Sequence, residues 1–354
     1  MWRLYERRVS RGADLCCYWF EKARDLIEQR NCKRAGLLAT QAIRGGANRE
    51  TLKRIKETGD IFFAISDKEW ILDGANVHVS MIAFDDKRHS ERWLDGRKVL
   101  KINSNLTAAV DTTEAARLRI HREICFRGVP KVGKFELTQD QALRLLGEPN
   151  PSLRPNSDVV RPWMNGLDVT RRPKQFWIID FNERDEETAA QYAEPFNLVR
   201  QYVLPLRIKN KRGHRRQNWW LHAETGAGLR AATHSLARFP ATLSISKHRL
   251  FVWLQQPTFP DQQLYIFARD DDYFFGVLHS CFHEVWALKL GTRLETRPRY
   301  TPTTCFETFP FPEPDEQQRI GISAAAKELN ELRENWLNPP EWTTTRILEV
   351  SRLN

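Results

Sequence analysis

An open α/β layer that leads into a mixed α+β region and ends in a helix is the fold class predicted here, on three observations. Helix-spaced and strand-like apolar runs alternate up to residue 84, short β-like runs mixed with Pro, Gly, Asn and Arg follow from residue 100, and residues 315–338 have helix composition. With 354 residues, 41% of them hydrophobic and 28% charged, the chain is globular and long enough for two domains at roughly 150 residues each.

Each element has its own signal. ADLCCYWFEKARDLIEQR (13–30) carries apolar side chains at helical spacing with a charged far face. KRAGLLATQAI reads as a buried strand closed by the turn RGGAN, and RETLKRIKE as a helix leading through Gly59 to the strand DIFFAIS. VHVSMIAF, after the turn LDG, is a third strand, so the order fits one half of an open α/β sheet. Beyond residue 100, LTAAVDTTEAARLRI has helical propensity, FRGVPKVGKFELT reads as loop and short strand, and ELTQDQALRLLGEP as a small helix stopped at Pro149. AAQYAEPFNLVRQYVLPLRIKNKRGHRR is helical and becomes basic, while ATLSISKHRLFVWL, LYIFARDD and FFGVLHS read as strands. No internal repeat or low-complexity tract is present.

A formal charge of +10 fits a polyanionic partner, and equally a basic protein with no such partner. Six cysteines without a CxxC pair point to a reducing compartment and no zinc site. The N-terminus lacks a signal-peptide core, and no apolar run approaches the ~18 residues of a membrane span. A soluble cytoplasmic protein is expected. Gly45-Gly46 reads as an ordinary turn rather than a phosphate cradle. His279 and His283, four apart, lack a third ligand, so no metal is expected there or at Asp270–Asp272.

Five blocks then carry a resemblance: AGLLATQAIRGGANRETLKRI, TGDIFFAISDKEWILDGANVHVSMIAFDD, RPNSDVVRPWMNGLDVTRRP, ARDDDYFFGVLHS and PRYTPTTCFETFPFP. In this order they resemble bacterial DNA adenine-N6 methyltransferases, in particular the large restriction–modification enzymes that fuse methylation and recognition in one polypeptide. The resemblance covers nearly the whole chain. It implies the C-terminal half of a Rossmann-like methyltransferase domain (1–100), a mixed α+β target recognition domain (101–312) and a C-terminal helical tail (313–354). It also implies S-adenosylmethionine as the complete enzyme's methyl donor, held by a Gly-rich loop, and an Asn-Pro-Pro-aromatic motif that holds the flipped adenine. Both signatures precede the segment matching ADLCCYWFEKAR. WLNPPEW (336–342) does not replace the motif, because Glu341 follows the prolines and a charged helix precedes them; the Pro pair reads as a helix stop. No catalytic residue and no bound cofactor are therefore expected for this chain alone.

The candidate site residues are DNA contacts. Trp70 lies where such enzymes present a side chain to the extruded base, and reads either as a stacking residue or as a Trp packed under its own hairpin. Arg207, Lys209, Lys211, Arg212, Arg215 and Arg216 have no acid between them and read as phosphate contacts or as a solvated helix end. Arg161, Asn165, Arg171, Arg172 and Lys174 surround Pro and Gly turns, where Arg reads guanine and Asn adenine. Arg293, Glu295, Arg297 and Arg299 fall on alternate positions, which share one face of an extended segment, either as base readers or as a self-paired row. The partners expected are double-stranded DNA and an upstream-encoded chain supplying the cofactor-binding half. The function expected is a truncated, by itself inactive, site-specific adenine-N6 DNA methyltransferase, or alternatively a non-enzymatic specificity subunit of a split enzyme.

Overall fold

The computed structural model describes residues 2–72, 75–108, 115–171, 173–294 and 297–337. It divides into two compact units, Met1–Ala116 with Lys289–Arg299, and Arg117–Leu288 with Tyr300–Asn354.

The first unit runs α1 (Cys16–Glu28), β1 (Arg34–Thr40), α2 (Gly46–Thr58), β2 (Asp60–Leu72), β3 (Ala75–Asp85), β4 (Arg92–Leu94) and β5 (Arg97–Val99). Its sheet has the order β1-β3-β2-β4-β5. β3 is antiparallel to both β1 and β2, so these two run parallel with a reversed strand between them. One face carries the row Leu37, Ile82, Ala64, Leu94, and α1 and α2 pack on it through Cys17, Phe20, Leu52 and Ile55. Gly59 joins α2 to β2 because a Cβ there would stand 2.0 Å from the Asp85 carbonyl oxygen. The two helices are tied by one buried carboxylate. Glu21 accepts from Arg24 Nε and Nη2 at 2.9 and 3.0 Å, and from Arg54 Nε and Nη2 of α2 at 3.3 and 3.4 Å.

The second unit runs β6 (Cys125–Arg127), β7 (Glu136–Leu137), α3 (Gln139–Gly147), β8 (Val160–Met164), α4 (Gly166–Thr170), β9 (Trp177–Ile179), α5 (Glu186–Ala190), α6 (Ala193–Tyr202), α7 (Leu204–Ile208), α8 (Gly213–Gln217), α9 (Ala227–Thr233), β10 (Arg238–Leu243), β11 (Phe251–Gln255), β12 (Phe259–Pro260) and β13 (Leu264–Phe267). α10 (Asp272–His279) and α11 (Cys281–Leu290) follow, then the hairpin β14 (Thr292–Leu294) and β15 (Arg297–Arg299) of the first unit, and finally α12 (Glu316–Leu337). Two four-stranded sheets, β11-β10-β13-β6 and β12-β8-β9-β7, enclose a core that includes Phe135, Val160, Ile178, Phe239 and Ile266. α3 begins where Thr138 and Gln141 form a reciprocal cap. Among the described residues, no helix is long and apolar enough to cross a membrane.

Three expectations change. FFGVLHS is helical, within α10, because Asp271 caps it by accepting from Phe274 N at 2.8 Å, and Phe274, Phe275 and Leu278 bury at helical spacing. A short apolar run cannot be assigned by periodicity alone. The described part of LTAAVDTTEAARLRI holds only a 3₁₀ turn, Arg119–His121. The segment from Arg293 to Arg299 is not one extended row but a hairpin. α12 ends at Leu337, and the Asn-Pro-Pro at 338–340 lies outside the described residues.

Replacing Glu21 by Ala leaves the nearly buried Arg24 without its main partner, and should lower the unfolding free energy by roughly 3–5 kcal/mol in urea titrations. A loss below about 1 kcal/mol would mean that the network does not hold α1 to α2.

Candidate nucleic-acid interface

The cationic run in the second unit divides in two. Arg207, on α7, is only 2% exposed, and its Nη2 donates to the carbonyls of Lys131 at 3.1 Å and Leu221 at 2.9 Å. Expected as a phosphate contact, it is instead an internal brace; the amphipathic turn of α7 puts it inside while Leu206 and Ile208 stay exposed. Lys209, Lys211, Arg212 and Arg216 are exposed and Arg215 is half-buried. Within the described residues none of these five forms an ion pair, and Arg216 only donates to the Asn210 carbonyl at 3.1 Å.

The α4 loop is built by its own polar groups. Asn165 Oδ1 accepts from Leu167 N at 2.8 Å and Asp168 N at 3.3 Å, so it caps α4. Asp168 accepts in turn from Asn165 N and Lys174 N, both at 3.1 Å. The Asn165 carbonyl is thereby engaged in the cap, and only its amide hydrogens are left for a base edge. Arg171 and Lys174 are exposed on this pre-formed turn, and Arg172 lies outside the described residues.

In the β14–β15 hairpin, Arg293 stands opposite Pro298, Leu294 opposite Arg297 and Thr292 opposite Arg299. The pairing puts the two halves of the expected row on antiparallel strands rather than on one. Arg297 and Arg299 are exposed, and Glu295 lies outside the described residues. Trp70, on β2 opposite Val77, is 37% exposed, and among the described residues it belongs to no core cluster and touches no other ring.

Sequence reasoning missed a buried charged centre. Asp180, just after β9, accepts from Arg230 of α9 through Nη1 at 2.8 Å and Nη2 at 2.9 Å, and from Asn182 N at 3.0 Å. Arg161 Nε and His222 Nε2 each lie 3.7 Å from it. Burial pushes the Asp180 carboxyl up, but Arg230, His222 and Arg161 outweigh it and hold the group below the usual carboxylate range. His222 is driven to about 4, by burial first, with Asp180 opposing and Arg230 and Arg207 adding to the fall. The one available signal was an acid ending an apolar strand, WIID; its partner stands 50 residues later. His279 and His283 are engaged in the core, on the Phe251 carbonyl and on the Leu278 carbonyl with the Tyr300 hydroxyl.

With this geometry in hand, the comparisons are specific. A family model described as MmeI, target recognition domain, matches residues 131–313. DNA methyltransferase A of Bacillus subtilis (strain 168) is 34% identical over 71 residues, which make up 20% of this chain and 8% of that protein. The structure of the type IIL restriction-modification enzyme MmeI in complex with DNA is similar with a TM-score of 0.77 at 20% identity, over 96% of this chain and 47% of that one. This chain has the same mixed α/β fold and spans about half the length of the matched MmeI chain.

The buried histidines generate a pH dependence. His222 and His283, both brought from 6.5 to about 4, stay neutral when folded, while the unfolded chain takes up protons below about 6.5. Stability should therefore fall as the pH drops from about 6.5 to 4, seen as a falling urea midpoint. His222→Gln should flatten that slope; an unchanged slope would show that His222 is protonated in the folded protein.

Proposed function

The chain belongs to the MmeI target recognition domain family, and on that premise we propose that it docks on double-stranded DNA and selects the site for an adenine-N6 methyltransferase of a restriction–modification system. The observation that carries this reading is the run of Lys209, Lys211, Arg212, Arg215 and Arg216, which has no compensating carboxylate among the described residues and lies inside the family-matched residues. Cations without an ion-pair partner are available to displace counterions from a phosphate backbone. Arg171 and Lys174 on the ordered α4 loop, and Arg297 and Arg299 on the β14–β15 hairpin, are assigned to base edges or flanking phosphates. Trp70, 37% exposed on β2, is assigned to stacking on the extruded base.

The first unit is read as the rear half of a Rossmann-like catalytic sheet. Three features support this: β1 and β2 run parallel and are linked by α2, β1 has no strand on its outer side among the described residues, and one sheet face is open. On that face lie Leu38, Met81, Ile65, Phe63 and Trp93, with Leu38, Phe63 and Trp93 exposed. An antiparallel sheet can leave one face to solvent, but large apolar side chains grouped on that face mark it as a surface that a further layer would cover. For S-adenosylmethionine, the family's donor, the sequence offers no Gly-rich loop: Gly45-Gly46 is its one Gly-Gly pair, and it lies at the turn that enters α2. In the sequence Glu341, not an aromatic, follows Pro339-Pro340. No transfer step is assigned to these residues; their part is to hold and orient the duplex. A second reading, a specificity subunit whose catalytic half is a separate upstream-encoded chain, draws on the same open edge and face.

Two measurements test this. Changing Lys209, Lys211, Arg212 and Arg216 together to Ala should weaken cognate and random duplexes alike, and reduce the slope of log K against log salt by about 0.9 for each phosphate no longer neutralised; an unaltered slope would remove the run from the interface. The purified chain with labelled S-adenosylmethionine should leave duplex DNA unmethylated. Label transferred by this chain alone would overturn the division of labour.

A further inference from the structure

A cavity of about 380 Å³ opens in the second unit, above the Asp180 centre. It is lined by Arg161 of β8, Asn182, Arg230 of α9, and Gln256, Thr258 and Phe259. Its charge does not balance. Asp180 is filled by two hydrogen bonds from Arg230 and one from the Asn182 amide, and the third nitrogen of Arg230, Nε, donates to the Thr225 carbonyl at 2.7 Å. Arg230 and Asp180 thus neutralise one another. Arg161 is left over.

The Arg161 side chain is 29% exposed, and its Nε is buried without an acceptor, 3.7 Å from Asp180 Oδ2 and beyond hydrogen-bond distance. Among the described residues its guanidinium makes no hydrogen bond. The neighbouring Asp158 is engaged by the Tyr192 hydroxyl at 2.8 Å. Arg230 and Arg184 add positive potential at Arg161, opposed by Asp180 and Asp158. A guanidinium carries five N–H donors and stays charged, and its buried Nε–H has no acceptor, which an acceptor entering the cavity would supply. Asn182 completes the site. It sits at φ +56°, a conformation Asn tolerates, with its Oδ1 buried and unpartnered, and turning the amide about its last bond offers Nδ2 on the same side. The occupant this chemistry selects is an oxyanion. The volume is many times the ~30 Å³ of one water, enough for a phosphate group.

We propose that Arg161, with Asn182 and the surplus charge over Asp180, seats one phosphate group, supplied by the DNA backbone, so that Arg161 positions the duplex rather than reading a base. The backbone as the source rests on the function proposed above; the oxyanion site does not.

The test uses the full chain and three variants. Arg161→Gln removes the charge at similar size, Arg161→Lys keeps it, and Asn182→Asp keeps Arg161 but places a carboxylate beside it. Inorganic phosphate at constant ionic strength should raise the melting temperature of the chain and of Arg161→Lys. It should not raise that of Arg161→Gln or Asn182→Asp. On duplex DNA, Arg161→Gln should reduce the salt slope by about one and weaken cognate and scrambled sequences equally. A phosphate response that depends on Arg161 with an unchanged slope on duplex would assign the site to a free phosphate and overturn the backbone source. Absence of any phosphate response in the parent chain, together with an unchanged slope in Arg161→Gln, would overturn the site. So would a loss confined to one base pair of the cognate sequence, which would make Arg161 a reader. If the parent chain binds no duplex, the function proposed above fails while the phosphate titration still decides the site.

Discussion

A carboxylate with no exposure at all, Asp180, sets the geometry of the second unit's interior. Taking such a group out of water costs several kcal/mol unless fixed donors replace the water. The chain meets this cost with a bidentate Arg230, and the need to deliver that side chain fixes where α9 lies. Gly226 starts α9 at φ +71°, where a Cβ would stand 2.8 Å from Val129 Cγ2, and Arg230 Nε ties back to Thr225 just before it. On the strand side, the Asp180 amide donates to the Val159 carbonyl at 2.7 Å, which holds β8 and β9 in register beneath the cavity. One buried charge therefore decides the relation of a helix, two strands and the open space between them. The neutral His222 and the uncommitted Arg161 are consequences of the same arrangement.

Both units bury carboxylates, and they differ in how completely they answer them. In the first, Glu21 has Arg24 and Arg54, and Asp60 has Lys56 and Arg92. The cations there are internal ties. In the second, Arg230 and the Asn182 backbone N–H take the hydrogen bonds of Asp180 while Arg161 stands beside it without one, and among the described residues the exposed run after Arg207 has no acid to answer. A net charge of +10 states only that cations exceed acids; the structure distinguishes ties from cations that remain available. Arg207 makes the distinction sharp. By composition it belongs with Lys209 and Lys211, yet it sits inside, bonded to two carbonyls, because a helical turn sends neighbouring residues in different directions.

Local signals explain what the sequence revealed. The order helix, strand, helix, strand, strand in the first unit was legible because Leu52 and Ile55 recur at helical spacing and the strand runs are bounded by RGGAN, Gly59 and LDG. α3 was legible as a short helical run stopped by Pro149, and α12 from its composition. What was hidden depends on distance or on short-range competition. Asp180 and Arg230 are 50 residues apart, and nothing in either neighbourhood announces the other. Asn165 looked available for a base, but an Asn two residues before a backbone N–H at a helix start is engaged by that helix first. The alternation through residues 293–299 looked like one strand, because no Gly or Asn between β14 and β15 marks a break in the pattern. FFGVLHS is too short for periodicity to separate helix from strand, and the capping Asp271 was hidden among three consecutive acids.

What each unit leaves unsatisfied indicates the kind of partner it requires. The first has an unpaired edge of backbone N–H and C=O groups along β1 and an apolar face with Phe63, Trp93 and Leu38 exposed, features that another strand and an apolar layer would cover. Salt and counterions do nothing for such surfaces, so protein is the occupant they favour. The second unit leaves N–H donors and positive charge unsatisfied, at Arg161 in a cavity and at Lys209–Arg216 on the surface. An apolar surface cannot answer those, and water answers them only in part within a cavity. A polyanion answers both at once. The two units thus leave surfaces of opposite chemical kind, one apolar and one cationic.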